Sequence, residues 1–189
     1  MDAHDSEARP SSRIITRRSA LALPAAVGAA ALAPRVASAE PRLGAAFPGF
    51  SAHDLNGGAH TNREFTGRKR FVVVITSTDA SELSRAWLDQ AEARLGRARG
   101  NVHTLVALDL SFIAFDGIVR SQARAHTPQW RWPFVWLERD GSLARALGLP
   151  NGNRLPWAYV LDAQGVVRMW IHGPVSHPDA PAFWTLLTT

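Results

Sequence analysis

The stretch Phe71-Val72-Val73-Val74-Ile75-Thr76, followed at once by Ser77-Thr78-Asp79-Ala80-Ser81-Glu82, decides the fold. Its first half is a continuous apolar, β-branched run. Such a run suits a strand buried on both faces, as in a parallel sheet. Its second half is a turn with a helix-start signal, because Asp79 and Glu82 stand in a D-x-x-E spacing. Leu83, Trp87, Ala91 and Leu95 then recur every four residues, a helical stripe that Gly96 ends.

Working outward, Val102–Leu108 reads as a second apolar strand and Ile118–Ala125 as a helix. Phe134–Leu137 is a short strand reached through Pro133. Asp140-Gly141 makes a turn, and Ser142–Leu147 a short helix stopped by Gly148. Trp157–Leu161 and Val166–Ile171 form a hairpin around Asp162-Ala163-Gln164-Gly165, and His177–Leu187 closes the chain as a helix. Upstream, Phe50–Leu55 and Ala59–Phe65 flank Asn56-Gly57-Gly58, residues that accept positive φ and make a hairpin turn. Glu40–Gly49, with Pro41, Gly44, Pro48 and Gly49, reads as an extended arm. The order is a hairpin, then strand–helix–strand–helix–strand, then a short helix, a hairpin and a closing helix, an α/β pattern.

The first 39 residues read as an address. Thr16-Arg17-Arg18-Ser19 is followed by an apolar stretch from Ala20 to Ala33, and then by Ala37-Ser38-Ala39. Basic start, apolar middle and A-x-A ending are the parts of a cleavable signal peptide. The apolar part is too short for a membrane span, which takes about 20 residues. The paired Arg17-Arg18, with Leu21 three residues on, resembles the twin-arginine export signal, although Ala20 stands where that signal prefers Phe. Cleavage after Ala39 leaves residues 40–189 as a single domain in the periplasm or outside the cell, with no stable membrane span.

Composition narrows the chemistry. The 189 residues contain no cysteine, which excludes disulfides, thiolate metal sites and cysteine nucleophiles. From Glu40 onward 16 basic and 13 acidic residues remain, a formal charge of +3. The densest cluster, Arg68-Lys69-Arg70, precedes the central strand and reads as a solvated strand start, not a nucleic-acid patch.

The order of elements and several local segments resemble the thioredoxin-like superfamily, in particular its exported members and the peroxiredoxins related to alkyl hydroperoxide reductase. Pro133-Phe134-Val135-Trp136-Leu137-Glu138-Arg139-Asp140-Gly141-Ser142-Leu143-Ala144 is similar to that family's "P-F-P-V-L-x-D-x-D-G-x-L-A" segment, and Ala146-Leu147-Gly148-Leu149 to its "A-x-G-V" ending. Leu155-Pro156-Trp157-Ala158-Tyr159-Val160-Leu161-Asp162 is similar to its "x-P-T-T-F-L-I-D" strand, and Val166–Gly173 to its "G-x-I-x-x-x-x-x-G" strand. The resemblance implies a three-layer fold with a mixed central sheet, flanking helices and an N-terminal β-hairpin. It also implies that Pro156 is a cis proline facing the reactive site.

The family places its reactive cysteine where this chain has Ser77-Thr78-Asp79-Ala80-Ser81-Glu82. Neither a hydroxyl nor a carboxylate can form a mixed disulfide or a sulfenic acid. The inherited thiol–disulfide and thiol peroxidase activities are therefore excluded. Trp157 follows the proline where the family has a small residue.

Four sets of residues remain as candidates. The first is the vacated junction, where Thr78, Asp79 and Ser81, facing Pro156 and Trp157, could receive a peptide or an anion at the helix start. The alternative is that Asp79 only caps the helix. The second is Trp130, Trp132, Phe134 and Trp136, which share one parity and would line one face of a continuous strand, as a ligand surface or as core. Trp130 and Trp132 are the two expected to be exposed. The third is the histidine pairs His53 with His60 and His172 with His177, which lack a metal-ligand spacing. The fourth is a serine nucleophile such as Ser81, for which no G-x-S-x-G elbow is present.

Three function classes stay open. The first is a redox-inactive exported domain that binds a periplasmic protein, a peptide or a small ligand, with no cofactor or metal and no nucleic acid. The second is a hydrolase or transferase using the vacated cleft without a thiol, which requires His103, His126 or His172 near Ser81 and Asp79. The third is a purely structural domain.

Overall fold

The computed structural model describes residues 42–109 and 116–189. Residues 1–39, read above as an export signal, lie outside the described residues. Seven strands form one sheet: β1 (Ser51–Asp54), β2 (Ala59–Thr61), β3 (Arg70–Ile75), β4 (Val102–Ala107), β5 (Val135–Glu138), β6 (Trp157–Leu161) and β7 (Val167–His172). Four helices accompany them: α1 (Ser81–Leu95), α2 (Asp116–Ala125), α3 (Ser142–Ala146) and α4 (Ala180–Thr188). The spatial order is β2-β1-β5-β4-β3-β6-β7. β3, β4 and β5 are parallel; the other pairings are antiparallel, so the sheet is mixed.

The six residues of β3 are all buried, as an apolar run at the centre of a two-sided sheet requires. Phe71, Val73 and Ile75 face a core shared with Trp87 and Leu88 of α1 and Phe183, Trp184 and Leu187 of α4. Val72 and Val74 face the other core, with Leu143 and Ala144 of α3, Trp136, Tyr159, and the upstream aromatics Phe47, Phe50 and Phe65. The alternation of side chains along the strand produces this division. Three layers result: α1 and α4 on one face, the sheet, and α3 with the N-terminal aromatics on the other.

Several boundaries differ from the sequence reading for identifiable reasons. The return strand expected over Ala59–Phe65 stops at Thr61, and Asn62–Phe65 winds into a 3-10 turn. There Glu64 reaches back to the Thr61 backbone at 3.2 Å, completing a capping box that ends the strand. The aromatic segment is not a strand either. Residues Gln129–Phe134 form a 3-10 turn, because Pro133 cannot donate to a sheet ladder. The four aromatics therefore scatter: Trp130 is 46% exposed and Trp136 only 1%. Trp132 is half-buried, beneath the Arg124 guanidinium, and its indole N–H donates to the Thr127 carbonyl at 2.9 Å.

The basic cluster is not simply solvated. Arg68 is exposed and Lys69 reaches the Leu186 carbonyl at 2.7 Å, but Arg70 is buried. Its guanidinium donates to the carbonyls of Gly100 at 2.6 Å and Glu64 at 2.8 Å, and to His103 Nε2 at 3.2 Å. A planar fork with five donors satisfies three acceptors at once, which keeps the charge inside.

Candidate functional site

β3 and β4 run parallel and β6 runs against them, so the ends of β3 and β4 meet the start of β6 along one edge of the sheet. Thr76 stands there, buried. Its hydroxyl donates to the Pro150 carbonyl at 2.8 Å and accepts from the Asn153 N–H at 3.3 Å, while its carbonyl accepts from the Gly152 N–H at 2.9 Å. The loop Pro150–Asn153 is thereby laced to the end of β3. Gly152 sits at φ +72, a conformation that side chains with a Cβ avoid.

The next residue, Ser77, is extended, and its Oγ accepts from the Asp79 N–H at 3.1 Å. It caps a 3-10 turn over Thr78–Ala80, from which α1 continues at Ser81. The expected capping role of Asp79 therefore belongs to Ser77. Asp79 is exposed, with Arg154 Nε 3.4 Å from its Oδ2. Both of those side chains are largely in water, where such a pair contributes little.

Between these elements lies a hollow of about 440 Å³, lined by Thr76, Ser77, Thr78, Leu108, Asp109, Asn151 and Gly152. Its wall combines hydroxyls, an amide and backbone with a larger apolar surface that includes Leu108, and Asp109 is its one charged residue. The sequence-derived site divides here. Thr78 lines the hollow; Asp79 and Ser81 lie exposed beside it on the turn.

Pro156 and Trp157 are both buried. Trp157 stacks on His172 with ring centroids 4.2 Å apart and planes 3° from parallel. No peptide bond among the described residues is cis, so Pro156 departs from the expectation carried by the resemblance. Its carbonyl accepts from the Gly173 N–H at 3.1 Å, and Trp157 pairs with Val74 in the sheet. The trans bond is the ordinary preference of an X–Pro peptide, by about 0.5–1 kcal/mol. A bulky Trp in the next position is accommodated by turning it into the core, not by lining a groove.

The histidines that a serine mechanism would need are held elsewhere. His103 is buried between Arg70 and the rings of Phe65 and Trp136; burial, then the Arg70 charge, lowers its pKa to about 3. Burial also lowers His172, which is kept against Trp157. His126 contributes its carbonyl to Arg85 at 3.2 Å. Among the described residues no hydrogen bond or ion pair joins these three to Ser81 or Asp79. Nor do His53 and His60 form a pair: His60 stands opposite Ala52 and His53 opposite Ala59, on alternate faces. His60 instead sits between Asp54 Oδ2 at 3.2 Å and Glu64 Oε2 at 2.9 Å, and stacks on Trp136 at 4.4 Å.

Two features escaped the sequence reading. The loop Asn151-Gly152-Asn153 forms one wall of the hollow, and its N-G-N composition is a turn signal that could have marked it. The other is Glu138, at 1% exposure the most buried acid of the described residues. It shares parity with Trp136 along β5, and that alternation would have placed it inside. The Ser142 N–H and hydroxyl each donate to Glu138 Oε1 at 2.9 Å, while Oε2 is buried and has no donor. Burial first, and then a hydrogen bond with Asp140, raise the Glu138 pKa to about 7. The same hydrogen bond, joined by those from Ser142, holds Asp140 well below the usual carboxylate range.

No protein-family model and no curated protein matches the sequence. Solved structures do. A putative thiol:disulfide interchange protein DsbE from Chlorobium tepidum superposes with a TM-score of 0.56 at 17% identity, covering 78% of this chain and 97% of that one. A putative electron transfer protein from Aquifex aeolicus VF5 gives 0.54 at 16% identity, over 77% and 92%. A thiol peroxidase from Chromobacterium violaceum gives 0.52 at 17%, over 78% and 86%. Identities this low establish shape alone. With its mixed sheet, its strand-to-helix junction and its composition, this chain is a cysteine-free protein of thioredoxin-like fold.

Proposed function

We propose that this chain is an exported, redox-inactive binding protein whose ligand, a polypeptide segment, seats in the hollow beside Thr78. One observation carries the reading: the hollow lies at the β3–α1 junction, where the family resemblance puts the reactive thiol, and it is lined by hydroxyls, backbone and Leu108 without a thiol. The Ser77 hydroxyl already caps the turn, and Thr76 already ties down the facing loop. A hydroxyl without an adjacent base is a weak nucleophile. Exposed backbone and small polar side chains suit the main-chain amides of an extended segment.

The reading moves the docking surface away from Pro156 and Trp157, which are buried, toward Thr78, Asn151 and Gly152. The test is a hollow-filling variant, Thr78→Trp. The processed wild-type protein should retain a specific partner through purification from the periplasm and should turn over neither disulfides nor peroxide with a dithiol donor. The Thr78→Trp protein should fold normally and lose the partner. Equal retention by both proteins would refute the assignment of the hollow.

A further inference from the structure

Between α1 and α4 lies a groove of about 610 Å³, a size typical of small-molecule sites. Val175, Ala180, Pro181 and the buried Trp184 contribute its apolar lining. Arg94 and His177 stand in its wall. The Arg94 guanidinium lies 5.0 Å from the centre of the Trp184 ring and makes no hydrogen bond or ion pair among the described residues.

His177 has a defined donor. Its Nδ1 accepts from the Asp179 N–H at 3.2 Å, so the ring proton sits on Nε2. Protonation would place a second hydrogen on Nδ1, 3.6 Å from Asp179 Oδ2, and leave Nε2–H in place. In either state Nε2 donates. No carboxylate lines the groove. Of the neighbouring acids on α1, Asp89 points about 100° round the helix from Gln90. Glu92 is engaged by Arg131, whose Nε donates to it at 2.7 Å.

We propose that this groove is a second ligand site, which takes a small organic anion with an apolar body. The body would lie along Val175 and Pro181, and the anionic group would meet the Arg94 fork, which covers the Trp184 ring, and the His177 Nε2–H. Guanidinium pairs bidentately with a carboxylate, and Val175 and Pro181 add apolar area. The site is independent of the hollow at Thr78, because the two lie on different elements and share no residue.

The test uses the full chain, with indole-3-acetate as anionic probe and tryptamine as a cation carrying the same ring. Binding is read from the Trp184 indole N–H resonance, assigned by its absence in Trp184→Phe. Indole-3-acetate should shift that resonance saturably, and tryptamine should not. Arg94→Gln should weaken indole-3-acetate about tenfold, as expected for loss of a charge-assisted hydrogen bond, while Arg85→Gln leaves it unchanged. Equal binding of both probes by the wild-type protein would overturn the proposal, as would full affinity in Arg94→Gln or no saturable shift up to about 10 mM.

Discussion

Glu138 and Asp140, two residues apart where β5 turns toward α3, form an acid–carboxylate pair in which the buried partner keeps the proton. Glu138 Oε1 is saturated by the Ser142 N–H and hydroxyl, and Oε2 has no donor in reach. Ionised, that oxygen would be a buried and unsatisfied charge. Protonated, it becomes a donor, and Asp140 is the acceptor. Asp109 bridges to Asp140 from the end of β4, and Arg145 of α3 acts on Asp140. Among the described residues no cation pairs with Glu138, and its burial wins.

This pair makes stability depend on pH with a definite sign. The folded Glu138 has a pKa of about 7 against an ordinary 4.5, so the folded state holds a proton that the unfolded chain releases. Its contribution is full below pH 4.5 and is lost as the pH rises to 7. The slope approaches about 1.4 kcal/mol per pH unit within that window. Asp140 acts in the opposite sense and at lower pH, contributing stability that is lost in strong acid. Glu138→Gln keeps an acceptor for Ser142 and offers Asp140 an amide N–H. Urea denaturation should find it more stable than wild type at pH 8, by about 1–3 kcal/mol, and equal to it near pH 4.5. Parallel pH profiles for the two proteins would count against a protonated Glu138.

Trp157→Ala should behave as a core deletion. The side chain is 4% exposed and stacked on His172, so its loss should cost about 3–5 kcal/mol. Trp157→Phe should recover most of that. Thermal denaturation of both variants, set beside partner retention, separates a packing role from a docking role.

Arg70 should be more important to folding than its position in a basic cluster suggests. Arg70→Met leaves the Gly100 and Glu64 carbonyls and His103 Nε2 without their shared donor, at a cost of about 3 kcal/mol. Lys at this position offers no planar fork and should restore only part of the loss. Arg68→Met, at an exposed position, should stay within about 0.5 kcal/mol of wild type. Chemical denaturation midpoints test all three.

Export is open to a direct check. Replacing Arg17 and Arg18 together by Lys should leave an unprocessed precursor in the cytoplasm, because the twin-arginine route reads that pair. The processed wild-type protein should begin at Glu40 when its N-terminus is sequenced.

The order of elements was legible because each strand and helix carries its own periodicity. The β3 run, the α1 stripe at Leu83, Trp87, Ala91 and Leu95, and the two glycine-marked hairpins each state their structure locally. What was not legible depends on partners distant in sequence. Nothing near Thr76 announces that its hydroxyl ties down Pro150, 74 residues away. Arg70 looks solvated until Gly100 and His103 are brought alongside it. The burial of Trp157 was hidden for the same reason, since whether an aromatic lines a groove or fills a core depends on what stands across the sheet. Here that is His172, on β7. Thr78 alone of the five site residues read from sequence lines the hollow.

The central claim is that the hollow at the β3–α1 junction binds a polypeptide without performing thiol chemistry. Site-resolved crosslinking tests it most directly. A photoreactive p-benzoylphenylalanine at position 79 in the exported protein, exposed beside the hollow without filling it, should crosslink to one discrete polypeptide, and the same group at Gln164, in the exposed β6–β7 turn, should not. Identical crosslinking from both positions, or none from position 79, would contradict the account.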